Sequence, residues 1–116
     1  MITGTQPTEG AVDQLLQPAI VVKLSRDGQP GAFEKSFFSA VVCAYQADEV
    51  PEPEALVGHC KTPGILNSTA TEVTFTWHYL YFKKAGRFYL QITVDEVTTG
   101  GFIRKAVGCT TSIKIT

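Results

Sequence analysis

Residues 73–97 read VTFTWHYLYFKKAGRFYLQITVDEV, and this stretch decides the fold class. In its second half Phe88, Leu90, Ile92 and Val94 alternate with Tyr89, Gln91, Thr93 and Asp95. That two-residue period belongs to a strand with one buried face and one wet face. In the first half Val73, Phe75, Trp77, Tyr79 and Tyr81 share one parity, and Thr74, Thr76 and His78 take the other. Leu80 and Phe82 then end the polar run, so the strand finishes apolar on both faces. Between the halves Lys83, Lys84, Ala85, Gly86 and Arg87 make a polar turn with glycine where a positive φ is cheapest. The pattern predicts that the chain reverses there and pairs the two halves antiparallel. Burial of the four apolar side chains from Phe88 to Val94 contributes on the order of 6–12 kcal/mol before chain entropy is set against it.

Working outward, residues 19–24 (AIVVKL) form a β-branched run led by Pro18, placed where the missing N–H is tolerated. Residues 25–31 (SRDGQPG) are dense in turn formers and read as an exposed loop. Residues 36–46 (SFFSAVVCAYQ) carry apolar side chains on both parities, as expected of a central strand covered on both faces. The proline-spaced acidic run 49–54 (EVPEPE) is a solvated connection, 55–60 (ALVGHC) a short strand, and 62–64 (TPG) another turn. Downstream, 98–101 (TTGG) marks a tight reversal into strands at 102–107 and 109–115. In the last strand Cys109, Thr111, Ile113 and Ile115 are expected on one side. Residues 1–17 mix Thr, Gly, Gln and Pro with acidic residues, and read as a flexible N-terminal arm. The expectation for 18–116 is an all-β, immunoglobulin-like sandwich of about seven antiparallel strands.

The 116 residues suffice for one domain with its own core, and 44% hydrophobic against 18% charged residues is a globular balance. Ten Lys and Arg against eleven Asp and Glu leave a formal net charge of −1, far from that of a dedicated nucleic-acid binder. No apolar run reaches the length of a membrane span, and the first residues, MITGTQPTEG, lack the basic start and apolar middle of a signal peptide. The chain is therefore expected to be soluble and intracellular, with no membrane contact.

Three cysteines, Cys43, Cys60 and Cys109, show no CxxC spacing, and His59 and His78 add no zinc pattern. Structural thiols are the expectation. His59 and Cys60 are neighbours that point to opposite faces of a strand, and nothing supplies an orienting base, so no catalytic residue is assigned. The reading is of a non-enzyme without cofactor or metal. The tripeptide Asn67-Ser68-Thr69 fits the glycosylation acceptor pattern but marks a loop unless the chain is secreted. Lys83, Lys84, Arg87, Arg104 and Lys105 are the candidate nucleic-acid contacts if loops bring them to one end of the sandwich. Solvated turn cations are the plainer reading.

The stretch 75–97 resembles fungal velvet-domain proteins, in which an aromatic strand leads through a glycine turn to an aromatic-aliphatic strand with an acidic end. Phe75, Leu80, Gly86, Arg87, Phe88, Leu90 and Glu96 carry the match. Pro18 with residues 19–24, the Ala40-Val41-Val42-Cys43-Ala44 strand and Leu56-Val57-Gly58 are similar to further pieces of that family in the same order. The resemblance implies a Rel-like sandwich, homo- or heterodimerisation with velvet partners, and control of fungal development and secondary metabolism in the nucleus and cytoplasm. The family's basic N-terminal segment has no counterpart in residues 1–17, and its C-terminal strand is replaced by Gly108-Cys109-Thr110-Thr111. DNA binding is accordingly expected to be weak or indirect. The rival reading is an unrelated immunoglobulin-like adhesion or ligand-binding module.

Overall fold

A computed structural model describes residues 2–25, 37–67 and 71–116. The alternation at Ile20, Val22 and Leu24 builds β3 (Ile20–Ser25), which pairs antiparallel with β1 (Ile2–Thr5) on one side and β8 (Glu72–Trp77) on the other. With β7 (Ile65–Leu66) outside β8 they make a four-stranded sheet in the order β1-β3-β8-β7. The second sheet is built on β10 (Gly86–Thr98), whose one edge takes β4 (Phe37–Gln46) along nearly its whole length. Its other edge is shared by β11 (Gly101–Cys109) and the short β12 (Ile113–Ile115). β6 (Lys61–Pro63) pairs with β4, and β2 (Glu9–Gly10) lies parallel to β12. A one-turn 3₁₀ helix (Pro53–Ala55) leads into β5 (Leu56–Gly58), which pairs with β9 (Leu80–Phe82) at the side of the sandwich.

The two sheets face each other over one core. Ile20, Val22, Val73, Phe75 and Trp77 come from the first, and Phe38, Ala40, Val42, Ala44, Phe88, Leu90, Ile92, Val94, Ile113 and Ile115 from the second. Burial of these alternating side chains is the dominant force holding the sheets together. The fold is an all-β, immunoglobulin-like sandwich of largely antiparallel strands.

Several expectations need correction. The two halves of 73–97 do not pair. β8 lies in the first sheet, β9 in the side ribbon and β10 in the second sheet, so the turn at 83–87 carries the chain between layers. The reason lies at His78 and Tyr79, which interrupt the strand: before the break Val73, Phe75 and Trp77 are buried, and after it the parity flips to Leu80 and Phe82. The apolar end on both faces was the sign of that phase change.

Ser36 of the expected strand lies outside the described residues, and Phe37–Gln46 form a central strand that is covered on one face, since no layer of the described residues lies over Phe37 and Val41. Residues 1–17, expected as an arm, instead supply β1 and β2, and Leu16 is buried in the core. Strand addition satisfies backbone groups that apolar alternation does not advertise in so polar a segment. The described residues hold twelve strands where about seven were expected, several of them only two or three residues long. Residues 62–64 were expected to turn, yet Thr62 and Pro63 belong to β6, and only Gly64 separates it from β7 of the opposite sheet. Cys109 closes β11 instead of joining Ile113 and Ile115. Residues 26–31 of the expected loop lie outside the described residues, as do Ser68 and Thr69 of the tripeptide. Asn67 Oδ1 accepts from the Thr71 and Glu72 N–H groups at 3.0 and 3.2 Å.

Candidate interaction surface

The outward face of the β10 sheet follows from register. The inward side chains of β10 are even-numbered from Phe88 to Val94, so the odd-numbered ones point away from the core. Pairing then sets Phe37 of β4, Val97 of β10 and Phe102 of β11 in one row across three strands. Farther along, Val41, Thr93 and Val107 form a parallel row, with Lys61 of β6 beside Val41. Phe37 is 76% exposed and Phe102 60%, and Val41, Val97 and Val107 are also exposed. The Lys61 ammonium lies over the Phe102 ring, 4.8 Å from its centroid, so a cation spans the apolar rows. The next rows are polar: Cys43, Gln91 and Cys109, then Tyr45 stacked on Tyr89 with centroids 5.3 Å apart. The Tyr45 hydroxyl donates to Gln91 Oε1 at 3.1 Å.

β11 is also an edge strand, since no strand of the described residues lies beyond it. It shows the features that blunt an edge: Arg104 and Lys105 in mid-strand, and a register irregularity where Val94 and Asp95 of β10 face it. The face, rather than the edge, is therefore the better platform for a partner.

The five expected nucleic-acid contacts do not converge. Lys83, Lys84 and Arg87 lie at the start of β10, whereas Arg104 pairs opposite Asp95, eight residues along that strand and so about 27 Å away. Two of the five have acidic partners: Lys84 Nζ reaches Glu52 at 3.0 Å, and Lys105 Nζ reaches Glu96 at 3.1 Å. Lys114, not singled out from sequence, stands opposite Arg87 and enlarges the first group. The bond from Lys84 holds the Glu52 carboxyl below the usual carboxylate range, against the opposing pull of burial, with Gln46 adding a second hydrogen bond. Burial, and secondarily Cys43, push the Cys60 thiol up, the direction opposite to that of an activated nucleophile.

The exposed rows were missed because alternation shows that a strand has two unlike faces and not which of them is covered. The signal was present in Phe37-Phe38 and Phe102-Ile103, adjacent apolar pairs that cannot both face one core.

No family model matches the chain, and no curated protein matches it. Among solved structures it is similar to AggA, the major subunit of aggregative adherence fimbriae type I from Escherichia coli. That match has a TM-score of 0.48 and 11% identity over 100% of this chain and 93% of that one. It is also similar to self-complemented MyfA, the major subunit of Myf fimbriae from Yersinia enterocolitica, with a TM-score of 0.45 and 14% identity over 99% and 98%. The periplasmic chaperone SfaE follows with a TM-score of 0.44 and 9% identity over 99% of this chain and 56% of that one.

These findings correct the velvet resemblance. The similar structures are bacterial fimbrial subunits and a chaperone, and nothing among them is a velvet domain. The implied roles in transcription regulation, fungal development and secondary metabolism fall with it, as do velvet partners and a nuclear and cytoplasmic location. The physical reason is that aromatic alternation around a glycine turn is generic to sandwiches. Here it also spans three sheets, so it is no single hairpin.

Proposed function

We propose that this chain is an immunoglobulin-like adhesion module, a binding protein rather than an enzyme, that holds a protein partner on the uncovered face of its β10 sheet. One observation carries the reading: Phe37, Val97 and Phe102 stand side by side on a sheet face that no layer of the described residues covers. Contiguous exposed apolar side chains of this kind mark association surfaces. Between the two apolar rows Asp95 stands opposite Arg104, so those charges offset each other, and Lys61 at the β6 side adds a positive charge to the border. The fitting partner is a protein surface with apolar side chains at its centre and carboxylates at its margin.

Site-specific photo-crosslinking in the native host tests this. Crosslinkers at Phe37 and Phe102 should trap the same protein, and one at Lys23 on the other sheet should not. Phe37→Asp with Phe102→Asp should abolish the adduct while leaving the melting temperature nearly unchanged, because both side chains are exposed. Equal adducts from Lys23, or adducts that survive the double change, would overturn the reading. The same cells, fractionated, report the compartment: an adhesion module is recovered at the surface or in an exported fraction, and recovery in the cytoplasm contradicts the adhesion role.

A further inference from the structure

We infer that a second site adjoins that face, where β5 and β6 meet the break between β8 and β9, and that it takes an acidic saccharide. An open cleft of about 240 Å³ is lined there by His59, Lys61, Thr62, Thr76, His78 and Tyr79 among others. The chain's two histidines, nineteen residues apart in sequence, flank a single exposed ring. Tyr79 is 61% exposed, with its centroid 5.8 Å from that of His59 and 6.4 Å from that of His78, both in edge geometry.

The arrangement is held by backbone. Gly58 pairs with Leu80, and the His59 N–H donates to the Tyr79 carbonyl at 3.2 Å. Gly58 has φ +125°, and a Cβ there would lie 1.7 Å from the Tyr79 oxygen, so only glycine allows this approach. Beneath, the Trp77 indole N–H donates to the Cys60 carbonyl at 2.9 Å, and the Thr62 hydroxyl donates to the Thr76 carbonyl at 3.3 Å. The cleft is thus pre-formed, with tyrosine displayed and its walls pinned.

The chemistry of the walls selects the ligand. Among the described residues no carboxylate lines the cleft; two imidazoles, a lysine and two threonines do. An exposed tyrosine ring offers its face to the C–H side of a pyranose, and imidazoles exchange hydrogen bonds with hydroxyls. Lys61 lines the cleft and holds its ammonium over Phe102, so the positive charge that a sugar carboxylate would meet stands where the cleft borders the exposed rows. Lys61 is shared with the exposed rows, whereas Tyr79 and the two histidines, which carry the cleft, take no part in them.

Nitrogen–proton correlation spectra recorded during titration with sodium galacturonate, and separately with galactose, test it. Galacturonate should shift amides of 59–62 and 76–80 saturably, and galactose should bind at least severalfold more weakly. Tyr79→Ala removes the ring that would stack on the sugar and should weaken binding by about three- to tenfold, while Tyr79→Phe retains it. His59→Ala with His78→Ala should weaken it further, with the spectrum otherwise native. Shifts elsewhere on the surface, equal binding of both sugars, or full affinity in Tyr79→Ala would overturn the assignment.

Discussion

The rings of Phe82 and Phe88 stack with centroids 4.7 Å apart and planes 21° from parallel, joining the side ribbon to the main sheet across the turn at 83–87. Both are buried to within 2% of full enclosure. Each truncation to alanine should cost about 3–5 kcal/mol in urea unfolding, from lost transfer energy and the cavity left behind. Because the rings touch, the double variant should fall short of the sum by about 0.5–1.5 kcal/mol. Strictly additive losses would show that the stack does not form in solution.

Gly86 opens β10 at φ +148°, and a Cβ there would come within 3.3 Å of the Phe88 ring. Gly86→Val combines backbone strain with that contact and should destabilise by about 1–3 kcal/mol. Thermal melts of the two proteins provide the comparison, and coincident midpoints would rule out the turn geometry.

Trp77, the chain's one tryptophan, is 2% exposed and bonded to the Cys60 carbonyl. Its emission should be blue-shifted in buffer and move red in denaturant. Emission already red in the native state would remove Trp77 from the core and weaken the pinned wall of the saccharide cleft.

The Lys84 ammonium lowers the Glu52 pKa, so the folded state holds that proton less tightly than the unfolded chain does. The pair's contribution is present above the ordinary carboxylate range and is lost as pH falls through the lowered folded value. Carbon-detected titration should show the Glu52 midpoint moving up in Lys84→Met, and less difference between the two proteins in high salt. An unmoved midpoint would mean that the pair does not persist in solution.

Cys43 and Cys109 both stand opposite Gln91, on the two neighbouring strands, which sets their Cα atoms about 10 Å apart. A disulfide needs about 4.4–6.8 Å, so the folded monomer should keep both thiols free under oxidant. Cys109 is exposed, whereas Cys60 is half-buried with its thiol pushed up. Alkylation followed by mass spectrometry should therefore label Cys109 well before Cys60. An intramolecular Cys43–Cys109 bridge in folded protein would contradict this sheet order.

How far the chain could be read without coordinates varies with the interaction concerned. The strand at 88–94 was legible because period-two burial is a local property of its own side chains. The candidate cations were legible as residues but not as a group, since only the pairing of β11 with β10 separates Arg104 from Arg87 and sets Lys105 beside Glu96. The His59–Tyr79–His78 cluster left no sequence pattern, because a backbone hydrogen bond between distant segments assembles it.

By itself the sequence determined an all-β chain with a sandwich core, through alternation and turn residues that act over two to four positions. Tertiary structure alone decided that residues 73–97 divide among three sheets, that the polar N-terminal segment completes two of the ladders, and that Phe37 and Phe102 face outward. Those outcomes depend on which strand edges and faces are already occupied. Long-range backbone pairing supplies that information, and side-chain periodicity does not encode it.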